Sequence, residues 1–424
     1  MTIRFDAAIV GAGPAGAAAA ILLARAGWSV ALVERQAFPR RKVCGECIAA
    51  SNFALLAVLG VGAAVEAHAG AELRRVALMR GDETIVAALP AAAGPHRWGR
   101  AIGREHLDTW LAAAADAAGA SRFQPWALTS IAGDAGDFAL SLRPVAGALS
   151  HVELRASLVI AAHGSWEALP SEREARRETR AASDLFAFKA NFRGADLAAD
   201  LLPVLTFPGG YGGMVVADDG IATLAGCIRD DRLQALRSTQ AGARAGDVFE
   251  AMLRRECRGV AAALKGATRD GAWLASGPLR PGVRLGQRRL GEGDGAGEGE
   301  SVYRIGNAAG EAHPIVGEGI SMALQSAFVL ASVIGPARDQ LVGSAAARAP
   351  QRRALDAYEA IWRRRFTRRL RIAAAFAHVA MRPTLARVAW PLARRWPGVL
   401  TAGARFSDKT RCVPEAARLV GDAA

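Results

Sequence analysis

The chain has 424 residues, 51% of them apolar, which is too much material for one small domain and enough for several layers of core. Lys and Arg outnumber Asp and Glu by 53 to 40, a formal charge of +13; no nucleic-acid-reading motif accompanies the excess, so no nucleic acid is expected as a partner. The charge reads either as attraction to an anionic partner or as the compositional bias of a chain rich in Arg and Ala.

Residues 5–10 predict a short buried strand, 11–16 a glycine-rich turn, 15–26 an Ala/Leu helix, and 28–34 a second strand. A basic loop follows at 38–47, then a helical stretch at 49–59 and a hairpin at 73–89 around Gly81-Asp82. Residues 104–118 read as a helix. Segments 138–142 and 152–154 read as a hairpin around Gly147, and 158–162 as a short buried strand ending at His163-Gly164. Four strands without intervening helices, at 185–192, 201–207, 213–217 and 221–228, predict an antiparallel sheet. A helix at 247–255 and a Gly/Glu/Asp surface loop at 291–300 precede a strand at 302–305 and a helix at 319–334. From Pro350 onward the pattern is helical and Arg-rich.

The segment Gly11-Ala12-Gly13-Pro14-Ala15-Gly16 fits G-x-G-x-x-G in the context that gives the motif meaning: it follows a strand, opens a helix, and leads to a second strand ending in Glu34. Gly11 permits the tight turn, Gly13 lets backbone approach a pyrophosphate, and Gly16 lets helix pack on strand. The helix start, with Pro14 and Ala15, offers free N–H groups to phosphate. Glu34 is expected to accept hydrogen bonds from an adenosine ribose, and its charge disfavours a 2′-phosphate there. A second strand-loop-helix start, Gly306-Asn307-Ala308-Ala309-Gly310 followed by His313-Pro314-Ile315-Val316-Gly317-Glu318-Gly319-Ile320, fits another part of the same extended cofactor.

Together these two motifs resemble the FAD-dependent aromatic hydroxylase superfamily, with its geranylgeranyl-reductase-like branch the nearest in pattern. The resemblance implies an α/β protein: a Rossmann-like FAD-binding domain (residues 1–72, 100–180 and 276–335), an inserted antiparallel β-sheet substrate domain (hairpin 73–99 and residues 181–275), and a C-terminal helical region (336–424). It implies flavin contacts at Gly306, Asn307, Pro314, Gly317, Gly319 and Ile320. Asn307 stands where the family has Asp, so an amide replaces the charge. The helix Arg104-Glu105-His106-Leu107-Asp108-Thr109-Trp110-Leu111 resembles the family's Arg-x-x-Leu-Asp-x-x-Leu and implies Arg104 at the FAD phosphates. Arg35 and Lys42 are further expected cofactor contacts. His163 replaces the Asp of the family's Ala-Asp-Gly segment, a position linked there to FAD and NADPH. No Gly-Trp-x-Trp-x-Ile-Pro segment occurs, which argues against the halogenase branch.

Two further groups are expected at the reaction centre. Lys42-Val43-Cys44-Gly45 resembles the Lys-x-Cys-Gly of the reductase-like branch, which implies Cys44 beside the flavin and substrate cavity; a structural thiol and a redox pair with Cys47 are the alternatives. His313 is read as a proton donor or relay near the flavin, or as a histidine bonded to backbone. Five cysteines (Cys44, Cys47, Cys227, Cys257 and Cys412) and an N-terminus without a basic leader fit the cytoplasm. Residues 362–376 and Trp390, Leu392 and Trp396 compose either a helix packed on the FAD domain or an interfacial helix in peripheral contact with a membrane. The expected activity is oxygen-dependent hydroxylation of a hydrophobic, aromatic or polyketide-like small molecule at reduced FAD. Saturation of isoprenoid double bonds and electron transfer to a partner are the alternatives. One dinucleotide motif serves FAD, so NAD(P)H visiting transiently or a separate reductase is the expected electron donor.

Overall fold

The computed structural model describes residues 3–146, 151–165, 167–170, 181–240, 242–285, 302–343, 347–406 and 410–421. The chain enters on β1 (Ile3–Val10), turns into α1 (Pro14–Arg25) and returns on β2 (Val30–Val33). Helix α1 is alanine-rich because it is enclosed: Ala17, Ala18 and Ala20 are fully buried, and small side chains allow helix and sheet to approach. Pro14 sits in the first turn, where its missing N–H costs no helical bond. There follow β3 (Cys47–Ile48), α2 (Phe53–Val58), α3 (Gly62–His68), the hairpin β4 (Arg75–Arg80) and β5 (Glu83–Ala88), β6 (Arg100–Ala101), α4 (Arg104–Ala117), β7 (Ser121–Phe123), β8 (Trp126–Asp134), β9 (Asp137–Pro144) and β10 (Val152–Ala161). The second half holds β11 (Leu185–Arg193), β12 (Leu201–Phe207), β13 (Gly210–Val216), β14 (Ala222–Arg229), α5 (Asp230–Ser238), α6 (Ala245–Glu256), α7 (Arg258–Ala263), β15 (Thr268–Arg269), β16 (Leu274–Leu279), β17 (Gly282–Val283), β18 (Tyr303–Arg304), β19 (Gly310–Glu311), α8 (Gly319–Ile334) and α9 (Arg338–Leu341). The C-terminal helices are α10 (Arg348–Met381), α11 (Pro383–Arg395), α12 (Gly398–Phe406) and α13 (Pro414–Gly421).

Two sheets organise these elements. The first has the order β7-β2-β1-β10-β9-β8, with β18 beside the end of β10. Its β7, β2, β1, β10 and β18 run parallel, and β9 and β8 extend it as antiparallel strands. The second has the order β15-β11-β14-β13-β12-β4-β5, with β16 also on β11. It is antiparallel as expected, except that β4 joins β12 in parallel, Arg75 opposite Leu201. That pairing attaches the early hairpin to strands more than a hundred residues later.

Segments 152–154 and 158–162 are one continuous strand rather than two. The front half of β10 pairs with β9 (Val152 opposite Leu142), and the rear half lies between β1 and β18. Strand β8 and helices α5 and α7 were not apparent from the sequence pattern. The Gly147 turn and the 291–300 stretch fall outside the described residues. Helix α10 lays Tyr358, Trp362 and Phe366, all fully buried, against the layer that contains α8. The span Gly319–Leu341 is apolar and long enough to cross a membrane, but 78% of its apolar window is buried inside the protein.

Candidate functional site

The end of β1 carries the groove. Gly11 has φ +107°, and a Cβ there would lie 2.6 Å from the Ala162 carbonyl oxygen; a Cβ on Gly16 would meet the Gly11 oxygen at 1.8 Å. Only glycine at both positions lets the turn form. Gly13 caps α1 without a side-chain hydrogen bond, so the first N–H groups of the helix stay available. Glu34 is buried, and both carboxylate oxygens are held by backbone: Ala12 N–H donates to Oε2 at 2.9 Å and Gln36 N–H to Oε1 at 2.8 Å. Glu34 lines a cleft of about 50 Å³ with Gly11, Gly13, Arg35, Arg40, Lys42 and His163.

Three cations converge beside Gly13. Arg104 is buried and bidentate to Asp108, at 2.7 and 2.8 Å. Burial opposes the charge of its guanidinium, but Asp108 and Cys44 more than offset that and hold its pKa above the ordinary value. Arg40 reaches Asp108 at 3.4 Å and Glu34 at 3.8 Å. Its Nε and Nη1 are buried with no hydrogen-bond partner. The Lys42 ammonium is enclosed although the residue is only partly covered, and burial, with Arg40 and Arg104 adding to it, pushes its pKa down to about 8. Three cations face two carboxylates, with orphaned guanidinium donors among them, in a groove where Gly13 leaves backbone bare. This donor set fits the pyrophosphate of FAD.

The groove opens into a cavity of about 490 Å³ between the two sheets. Gly306, Asn307, Pro314, Gly317, Gly319 and Ile320 all line it, as do Pro14, Ala15 and Cys44. Gly306 has φ +58°, and a Cβ on it would lie 2.9 Å from the Ala15 Cβ, so the two loop-helix starts meet there. Asn307 donates to Ser165 Oγ at 2.8 Å, and Arg284 donates to the Asn307 carbonyl at 3.1 Å. The replaced Asp position is thus occupied by an amide whose NH2 is held by Ser165, on a backbone held by Arg284. His313 does not line the cavity; its Nδ1 is 3.1 Å from the hydroxyl of Tyr211, which does. Burial lowers the His313 pKa to about 4 and raises that of Tyr211 well above its ordinary value, so both are neutral near pH 7.

The Cys44-Gly45-Glu46-Cys47 loop is built around its acid. Glu46 takes φ +58° and is buried. One oxygen accepts the Arg104 backbone N–H at 3.0 Å and pairs with the fully buried Lys189; the other accepts the Thr223 hydroxyl at 2.5 Å. Asn191 in turn donates to Thr223 at 3.1 Å. None of the five cysteines forms a disulfide; Cys44 accepts the Glu46 N–H at 3.3 Å, and both Cys44 and Cys47 line the cavity. The sequence reading singled out the cysteines and passed over Glu46, Lys189, Arg40 and Tyr211. A lysine inside the otherwise apolar Leu185-Phe186-Ala187-Phe188-Lys189-Ala190 was the available signal for a buried ion pair.

The roof of the cavity comes from the C-terminal helices, through Phe376 and Val379 of α10, Ala386, Trp390 and Ala393 of α11, and Leu400 of α12. The expectation that this region packs on the FAD domain describes α10; α11 and α12 instead close the space between the sheets.

The chain resembles known flavoproteins in sequence and in fold. It is 48% identical over 61 residues to a menaquinone reductase of Mycolicibacterium smegmatis, covering 14% of this chain and 15% of that protein. It is 50% identical over 60 residues to a tryptophan 2-halogenase of Chondromyces crocatus, covering 14% and 11%. These alignments span less than a third of the curated relatives. Among solved structures, a myxobacterial chondrochloren halogenase superposes with a TM-score of 0.72 at 16% identity, covering 99% of this chain and 97% of that one. A geranylgeranyl bacteriochlorophyll reductase-like protein of Thermoplasma acidophilum superposes with a TM-score of 0.66 at 19% identity, covering 100% and 96%. At these identities the superpositions establish the fold. The sequence model of the FAD binding domain family matches residues 4–225, more than half of the chain. The protein therefore belongs to that family, the FAD-dependent aromatic hydroxylases.

Proposed function

We propose that the protein reduces a double bond in a long apolar chain of the isoprenoid kind, which places saturation ahead of hydroxylation. The observation that carries this reading is where the cavity keeps its polar groups. The loops of the dinucleotide groove contribute Lys42, Glu46, Arg104, Ser165 and Asn307. The facing walls, from β4, β12, β13 and the C-terminal helices, contribute Val76, Leu78, Val204, Met214, Phe376 and Trp390, with Thr206 and Tyr211 as polar exceptions. An aromatic hydroxylation substrate needs polar partners to fix its ring, whereas a prenyl chain needs apolar area and length. The volume, within the roughly 300–1,000 Å³ usual for small-molecule sites, has to accept the flavin ring as well as substrate. The menaquinone reductase likeness supports the same direction.

Bound FAD supplies the two-electron exchange, and NAD(P)H or a separate reductase supplies the electrons. The chain's own part is placement and proton supply. Arg40, Lys42 and Arg104 hold the pyrophosphate, Glu34 the ribose, and Asn307 with the Gly317–Ile320 turn the flavin end. Saturation adds two hydrogens: one accompanies the electron pair and the other is a proton. Tyr211 holds that proton at the cavity wall, and His313 behind it relays a replacement to the hydroxyl, taking up a proton on its second ring nitrogen as it gives one from Nδ1.

The test is anaerobic. Holoprotein reduced with dithionite is mixed with a polyprenyl alcohol, which has no quinone ring to be reduced in place of the chain, and the product is weighed by mass spectrometry. A gain of two hydrogens without oxygen, slowed at least tenfold by Tyr211→Phe with substrate affinity retained, supports the reading. Turnover only after oxygen is admitted, with one oxygen atom gained by a phenol, replaces it with hydroxylation. Flavin reoxidation by a protein acceptor with neither product replaces it with electron transfer.

A further inference from the structure

Exposed large apolar side chains are concentrated in one place. Among the described residues ten are exposed, and seven of them lie within residues 376–399. On α11, Leu385, Val388 and Leu392 recur every three or four residues, and Trp396, whose N–H still bonds the Leu392 carbonyl, and Val399 extend the stripe. Val388 is 78% exposed and Trp396 56%. Ala386, Trp390 and Ala393 recur on the other side of the same helix and line the cavity. Helix α11 thus has two apolar faces, and only the inner one is covered. Phe376, Val379, Leu392 and Val399 are both exposed and cavity-lining, so the mouth of the cavity opens within the stripe.

The charge around the stripe is mostly positive, with Glu83 of β5 paired to Arg394. Between Glu359 and Asp408 the sequence has eleven arginines and no acid. Arg387 and Arg395 are exposed next to the stripe, and Arg395 lies over the Trp396 ring at 5.7 Å. Arginine bordering an apolar stripe with tryptophan at its edge matches the layered polarity of a lipid surface: anionic headgroups outside, acyl chains a few ångströms below. A second copy of this chain would have to bring acids against those arginines, and Glu83, the acid beside α11, is already paired to Arg394 at 3.1 Å.

We propose that α11 and α12 dock on an anionic lipid bilayer with the cavity mouth turned toward the acyl phase. That the substrate enters by this route rests on the apolar-chain reading above; the docking itself does not.

Flotation of the FAD-loaded protein with vesicles of phosphatidylcholine alone, and of phosphatidylcholine mixed with phosphatidylglycerol, tests it. The wild-type protein should float with the mixed vesicles, and about tenfold less with phosphatidylcholine. The double variant V388E/W396E, at two residues outside the cavity lining, should float at least about tenfold less while keeping its flavin absorbance and melting temperature. A second variant, R387E/R395E, should lose binding to the mixed vesicles while retaining the weak binding to phosphatidylcholine. Wild-type protein that stays down with both vesicles overturns the proposal, as does V388E/W396E floating like wild type. Light scattering that shows a lipid-free dimer dissociated by V388E/W396E assigns the stripe to a second copy instead. Protein that floats but leaves prenyl chains unsaturated removes the reductase reading and keeps the docking.

Discussion

Lys42 is the side chain whose protonation the cofactor most directly needs. In the free protein its pKa lies near 8, lowered by burial and by two neighbouring guanidinium groups, and the FAD pyrophosphate raises it again on binding. Affinity for FAD is therefore full below about pH 8 and falls as pH rises through that value, because the anion then meets one cation fewer. Fluorescence titration of the apoprotein should show this fall, and Lys42→Met should bind more weakly at neutral pH with no such step. The Glu46–Lys189 pair makes a second prediction. Lys189→Met strands a buried carboxylate and should cost about 3–5 kcal/mol, while the double change with Glu46→Leu should recover most of that on thermal unfolding. The two cases also differ in how readable they were. Gly11, Gly13 and Glu34 belong to a motif whose parts are close in sequence, so residue types and spacing identified them. Glu46 meets Lys189 across 143 positions, and nothing near either residue names the other.

At the scale of elements, the turns that position FAD differ in what they tolerate. Gly11→Ala drives a Cβ into the Ala162 backbone at a φ that side chains avoid, so it should lower the melting temperature of the apoprotein and abolish FAD binding. Gly319 has nothing within 4 Å of a built Cβ. Gly319→Ala should leave the apoprotein's melting temperature unchanged, or slightly raised, and weaken FAD binding alone, because the open space there is the cofactor's. Helix α8 was read from the sequence with the bounds it has, since it is long, apolar and introduced by a glycine loop. Strand β10 was read as two pieces because its pattern changes midway: Glu153 and Arg155 point away from the core, whereas residues 156–161 are all buried. Strand β8 was missed because its later residues are mostly exposed and carry little apolar alternation. The two apolar faces of α11 blurred the single stripe that periodicity looks for, so its role as the roof emerged only from the packing.

For the whole molecule, cofactor and fold are linked. The proposed FAD site joins α1, the Cys44–Cys47 loop and α8, so FAD at a hundred times its Kd should stabilise the protein by about 2.7 kcal/mol, measured as a concentration-dependent rise in melting temperature. The general architecture, a parallel dinucleotide layer with a separate mostly antiparallel sheet, followed from the order of strand and helix signals. The parallel join of β4 to β12 did not, because pairing between distant segments leaves no local trace. That join bears on how the protein is made. Neither sheet is encoded by one unbroken stretch: β4 and β5 wait for β12, the end of β10 waits for β18, and α1 waits for α8. At ribosomal speeds of about 5–20 residues per second, roughly 300 residues separate the first strand from the last helix of its layer, a delay on the order of 15–60 s. Within that interval the edge of β10 stays open until β18 is made, a natural client for a holdase, and the proposed flavin site is complete only after α8 has followed.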